Sequence, residues 1–166
     1  MRALVFGSIL LLPITLAATA LAQSAPESQT AYCNFDDGTQ ITVEYNPTVA
    51  KNDEPRNGKL WTPGGTPMVL FAQTALILGG SPIPTGGYHM FVIPGRNNWT
   101  LVVNKNVTAG SKYDEKDNIA KGQMDIGSLG EAEKDARISF AHSGPKLCSM
   151  RIDHGKTGAF VDFKEQ

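Results

Sequence analysis

The sequence predicts an all-β protein, an antiparallel β-sandwich or jelly-roll-like barrel of about eight or nine strands with little helix. Three observations carry this expectation. Apolar and polar residues alternate at a period of two, as where Ile41, Val43 and Tyr45 interleave with Thr42 and Glu44, which is the pattern of a half-buried strand. Short apolar runs are punctuated throughout by Gly, Pro and Asn turns, the rhythm of sandwiches and barrels. Two cysteines, Cys33 and Cys148, stand near opposite ends of the β-rich region, where one bridge would close it end to end.

Taken in order, the elements begin with a leader. Arg2 provides a positive start, Ala3 to Leu12 is apolar apart from Gly7 and Ser8, and Pro13 precedes small residues ending in Ala20-Leu21-Ala22. This is the three-zone plan of a secretory signal over residues 1–22, with an A-x-A site and cleavage after Ala22. The apolar run is shorter than the ~20 residues of a membrane span, and Gln23 after the cut offers no cysteine for a lipid. The expectation is export to the periplasm or beyond, with no membrane span in the mature form. Residues 23–30 lack apolar periodicity and read as a flexible lead-in to one domain over 31–165.

Within that domain Asp36-Asp37-Gly38 is a hairpin turn, since Asp-Gly favours the tight two-residue connection. The strand at Ile41–Tyr45 stops at Asn46-Pro47. Residues 50–67 hold many charged, Gly and Pro residues around the apolar pair Leu60-Trp61 and predict a long surface loop. Met68–Phe71 and Ala75–Leu78 are short strands bounded by Pro67 and Gly79-Gly80. Gly87–Ile93 and Trp99–Asn104 flank the turn Pro94-Gly95-Arg96-Asn97-Asn98 and predict a hairpin. Residues 105–118 are polar, with a helical turn at Tyr113–Asp117. Gln123–Ile126, Ala136–Ala141, Leu147–Asp153 and Ala159–Phe163 read as four further strands. On the third of these, alternation puts Cys148, Met150 and Ile152 on the inner face. An exported Cys33–Cys148 pair without C-x-x-C spacing reads as a structural disulfide.

The formal net charge of −1, with no local basic cluster, argues against a general nucleic-acid binder and against adhesion to anionic membranes, so no nucleic-acid partner is expected. No G-x-S-x-G elbow or comparable nucleophile motif is present. His89, His142 and His154 are dispersed and form no H-x-H or H-E-x-x-H pair, so no metal site and no cofactor is read from the spacing. Asp114, Glu115 and Asp117 lack the register of a calcium loop.

The stretch Gly79 to Lys105, GGSPIPTGGYHMFVIPGRNNWTLVVNK, resembles a bacterial exported family of unknown function, DUF2911. The resemblance rests on Gly80, Pro84 with Gly86 or Gly87 and Tyr88, Phe91, Ile93-Pro94-Gly95, Trp99-Thr100 and Asn104-Lys105. It extends more loosely from Ile41 to Phe163, through Tyr45-Asn46-Pro47 and Tyr113-Asp114. Where that family carries a Trp-Arg-Thr-Gly-Ala-Asn-type segment, this chain reads Leu60-Trp61-Thr62-Pro63-Gly64-Gly65. The resemblance implies an exported β-rich domain and no particular reaction.

The function expected is therefore a non-enzymatic exported module that binds an envelope glycan or protein. The surface or cleft residues that would carry it are Trp61, Tyr88, His89, Trp99 and Asn104, since exposed aromatics on a β-sheet stack on sugars or anchor partners. The alternative is an enzyme of unrecognised type, such as a hydrolase, with His89 or His142 converging on an acid such as Asp153.

Overall fold

A computed structural model describes residues 27–49 and 53–166. The leader expected over residues 1–22 lies outside the described residues. Among the described residues nine strands, all paired antiparallel, form one open sheet. They are β1 (Gln29–Asn34), β2 (Gln40–Tyr45), β3 (Met68–Ala72), β4 (Leu76–Leu78), β5 (Ser81–Ile83), β6 (Gly86–Ile93), β7 (Asn98–Asn104), β8 (Asn118–Gly144) and β9 (Leu147–Glu165). Their order across the sheet is β1-β2-β3-β6-β7-β8-β9-β4-β5. The only helical elements among the described residues are single 3₁₀ turns at Pro63–Gly65 and Glu115–Asp117. The second falls where a helical turn was expected.

The all-β antiparallel expectation holds, and the architecture is one curled sheet rather than two separate ones. β1 and β8 are not hydrogen-bonded neighbours, yet they pack against each other. The curl gathers the inner faces of the strands into one core that includes Ile41, Leu70, Met90, Leu101, Met124, Met150 and Phe163. Cys148, Met150 and Ile152 are all buried there, as alternation along the strand requires. Cys33 and Cys148 are joined in a disulfide with Cα atoms 6.2 Å apart. It ties the edge strand β1 to β9 across the core.

The strand count of the last third of the chain differs from the expectation. Gln123–Ile126 and Ala136–Ala141 belong to one strand, β8, and Leu147–Asp153 and Ala159–Phe163 to another, β9. The intervening glycines and charges looked like breaks because they carry no apolar alternation. Backbone pairing does not need that alternation, and β8 continues through register shifts between Ser128 and Arg137 that absorb its extra residues. β5, with Pro82 in it, pairs only with β4, an edge position where a proline without an N–H is tolerated. β1 starts at Gln29, within the stretch read as a lead-in.

Gly158 shows why a glycine sits mid-strand. A Cβ there would lie 2.8 Å from Asp153 Oδ1 and 3.1 Å from Arg151 Nε. Its absence leaves room for the buried Asp153 to accept from Arg151 Nε at 2.6 Å and from Arg137 at 3.0 Å.

Candidate functional site

Because side chains alternate across a strand, the core residues of β1, β2, β3 and β6 leave every second residue on the outer face. The register aligns these outer residues into rows. One row runs Tyr32, Thr42, Phe71 and Gly87. A second runs Thr30, Glu44, Val69 and His89, and continues to Asn104 on β7. Asn34 and Gln40 pair on the other side of the first row.

The first row forms an aromatic platform. Tyr32 is 61% exposed and Phe71 43% exposed, with the smaller, half-buried Thr42 between them. The Phe71 ring lies over Gly87, whose missing Cβ would be 3.7 Å from it, so glycine supplies the shelf on which the ring rests. Two strand spacings separate Tyr32 from Phe71, roughly 9–10 Å. Amides border the platform: Gln40 Nε2 donates to Asn34 Oδ1 at 2.8 Å, and the Gln40 backbone N–H donates to Gln73 Oε1 at 3.0 Å.

The second row opens into a groove of about 660 Å³ lined by residues that include Glu44, Asn46, Thr66, Val69, His89 and Thr108. Burial holds the His89 imidazole below its ordinary range, partly offset by a hydrogen bond with the Asn106 backbone. The ring meets Phe91 edge-on at 6.4 Å, and Phe91 in turn packs on Tyr113 at 4.9 Å.

Asn104 is buried and does not reach the groove surface. Its Nδ2 donates to the Asp114 carbonyl and to Asn118 Oδ1, both at 2.9 Å, while its Oδ1 accepts from the Asn106 N–H at 2.9 Å. A polar side chain so placed must be satisfied. Here it is, and the bonds pin the loop 105–117 whose Thr108 lines the groove.

Trp61, Tyr88 and Trp99 are buried in the core. Trp61 exchanges backbone hydrogen bonds with Val92 at 2.7 and 3.1 Å, so the loop before β3 is stitched to β6. Its ring meets Trp99 at 5.7 Å and His154 at 5.5 Å, and its indole N–H donates to the Asp53 carbonyl at 2.7 Å. Tyr88 donates to the Pro84 carbonyl at 2.8 Å, and burial raises its pKa. Of the five residues singled out from the sequence as surface or cleft candidates, His89 is the one that lines a described cavity on the outer face. Trp99 borders a different cleft.

His142 and Asp153 stand elsewhere. His142 Nε2 lies 3.1 Å from Asp36 at the β1–β2 turn, and Asp153 is held by its two arginines. None of the described cavities is lined by more than one of His89, His142 and Asp153. Among the described residues no group of three or more His, Cys, Asp or Glu side chains is placed to hold a metal ion.

The platform residues Tyr32 and Phe71 were not singled out from the sequence. Phe71 stands in the continuous run Met-Val-Leu-Phe-Ala, where composition does not tell one face from the other. Tyr32 was legible in principle, since an inward Cys33 makes its neighbour outward on a strand.

The fold and this face define a disulfide-closed, all-β sheet protein with an exposed aromatic platform. The model of the family of proteins of unknown function DUF2911 matches residues 25–163, and the chain belongs to that family. In the segment Leu60–Gly65, Trp61 is anchored in the core, and Gly65, with the following Thr66, lines the groove beside His89. No curated protein and no solved structure matches the chain.

Proposed function

We propose that the protein is an exported, non-enzymatic module that binds glycans on the outer face of β1, β2, β3 and β6. The single observation that carries the reading is the Tyr32–Thr42–Phe71 row, in which two exposed aromatic rings flank the smaller Thr42 on the outer face. Sugar rings present an apolar face of C–H groups that stacks on aromatic side chains, and their hydroxyls need hydrogen-bonding neighbours. Asn34, Gln40, Gln73 and Glu44 supply such neighbours on either side. The spacing of the two rings is of the size of two sugar units in an extended β-linked chain. The ligand class is therefore an extended β-linked glycan that crosses the strands.

The secretory leader pattern and the Cys33–Cys148 bridge support export, because disulfides persist in oxidising compartments. N-terminal sequencing of the secreted or periplasmic protein should begin at Gln23.

Binding is tested by calorimetry with chitin, cellulose and peptidoglycan fragments. Tyr32→Ala and Phe71→Ala should each weaken binding roughly ten-fold, with melting temperature little changed because both rings are exposed. Failure of all three ligand sets to bind, or binding indifferent to both substitutions, would sink the reading.

A further inference from the structure

A second cleft, of about 450 Å³, lies between the β6–β7 turn and the bend of β9. Its lining includes Asn57, Arg96, Trp99, His154, Lys156 and Thr157, and it contains no carboxylate side chain. This contrasts with the groove on the outer face, where Glu44 is part of the wall. Among the described residues, neither Arg96 nor Lys156 has a carboxylate within ion-pairing distance, and of the unpaired basic side chains these two line one cleft together. Arg96 and Lys156 at the mouth of a cleft with no carboxylate in its lining make a local positive field on their side of it, strengthened by the low-dielectric Trp99 wall, while Glu54 and Asp135, outside that lining, act on His154.

His154, which lines the cleft, also carries an unmet polar group beneath its surface. His154 Nδ1 is buried without a hydrogen-bond partner, although such atoms are normally satisfied. The ring is packed against Trp61 at 5.5 Å, which restricts any turn towards bulk water. We propose that this cleft is a binding site for a compact oxyanion, the terminal group of a sulfated, phosphorylated or carboxylated ligand, held between Arg96, Lys156 and His154.

The site is separate from the aromatic platform and does not depend on the glycan reading. Its chemistry carries a pH dependence. Burial holds His154 below its ordinary range, while Glu54 and Asp135 favour its protonated form. An anion beside Arg96 and Lys156 adds to that pull, so binding takes up a proton at His154 and tightens as pH falls.

Sulfate is the decisive probe, because it stays doubly charged across the range used and any pH effect belongs to the protein. At constant ionic strength, sulfate is titrated into the protein at about pH 5.5 and about pH 8 while the His154 ring and the Gly155 and Lys156 amides are followed by NMR. Saturable shifts are expected, roughly five-fold tighter at the lower pH. Arg96→Gln and Lys156→Gln should each weaken binding by about five-fold, and because both side chains are exposed the melting temperature should hold. Parallel titrations with inorganic phosphate and acetate separate a phosphate-bearing from a carboxylate-bearing ligand. The proposal is overturned if no saturable shift appears below concentrations on the order of 100 mM. Shifts that persist unchanged in both variants would overturn it equally.

Discussion

Removal of the Cys33–Cys148 bridge is the perturbation whose magnitude follows most directly from the structure. The bridge spans a sequence separation of 115 residues. On the chain-entropy account, releasing a loop of that length returns about 4.8 kcal/mol of conformational freedom to the unfolded state. The folded state sets the rest. β1 has no backbone pairing with β9, but the β1–β2 turn is tied to the β8–β9 turn by the Asp36 N–H donating to the Pro145 carbonyl at 3.1 Å and by the Asp36–His142 contact. Those ties and the β1–β8 packing remain when the sulfurs are removed, so β1 should stay docked. Alanine is the better replacement, since both cysteines are buried and a serine hydroxyl there would add an unpaired polar group. The double variant Cys33→Ala/Cys148→Ala should lose about 3–5 kcal/mol, which lowers a urea midpoint by about 2 M. Equilibrium urea unfolding of oxidised wild type and the double variant measures it. A loss under about 1 kcal/mol would refute the reasoning, because it would mean that the ends are closed by packing alone.

Two other predictions concern buried polar groups. Asp153→Ala should cost about 2–3 kcal/mol, the bonds from Arg137 and Arg151 being charge-assisted but both guanidinium groups free to turn to water. Gly158→Val should cost a similar amount by pushing Asp153 and Arg151 apart, and the two substitutions combined should cost less than their sum in thermal or urea unfolding. Additive costs would show that Gly158 serves some other contact. The histidines set a pH window: burial depresses both His89 and His154 below 6.5. Below that pH the unfolded chain takes up protons that the folded chain resists, so stability is fully present above 6.5 and is lost as pH falls through the folded values. Urea midpoints that stay flat in His89→Asn/His154→Asn while wild type declines between about pH 6.5 and pH 5 would bear this out. A parallel decline in both would refute it.

Alternation along individual strands was legible in the sequence because it depends only on which side of one backbone each residue takes. The Ile41–Tyr45 strand, the hairpin around Pro94–Asn98 and the inward set Cys148, Met150 and Ile152 all follow from that local rule. The bridge between Cys33 and Cys148 was legible for a simpler reason: with two cysteines there is one pairing. The continuity of β8 and β9 was not, because their polar middles are held by partner strands and bulges rather than by any pattern of their own.

The same division runs through the candidate sites. Trp61, Tyr88, Trp99 and Asn104 attracted notice for their residue types, yet the curl of the sheet and the satisfied Asn104 network put them inside. Tyr32 and Phe71 are 39 positions apart in the chain, and only cross-strand register brings them into one row on one face. Arg96, His154 and Lys156 likewise meet only where the β6–β7 turn comes against β9. By itself the sequence determined the class of fold, the disulfide pair and the inward face of single strands, all of which are local or combinatorial. Tertiary structure alone decided which aromatics face water and which charges share a cleft, because both depend on register and curvature summed over the whole sheet.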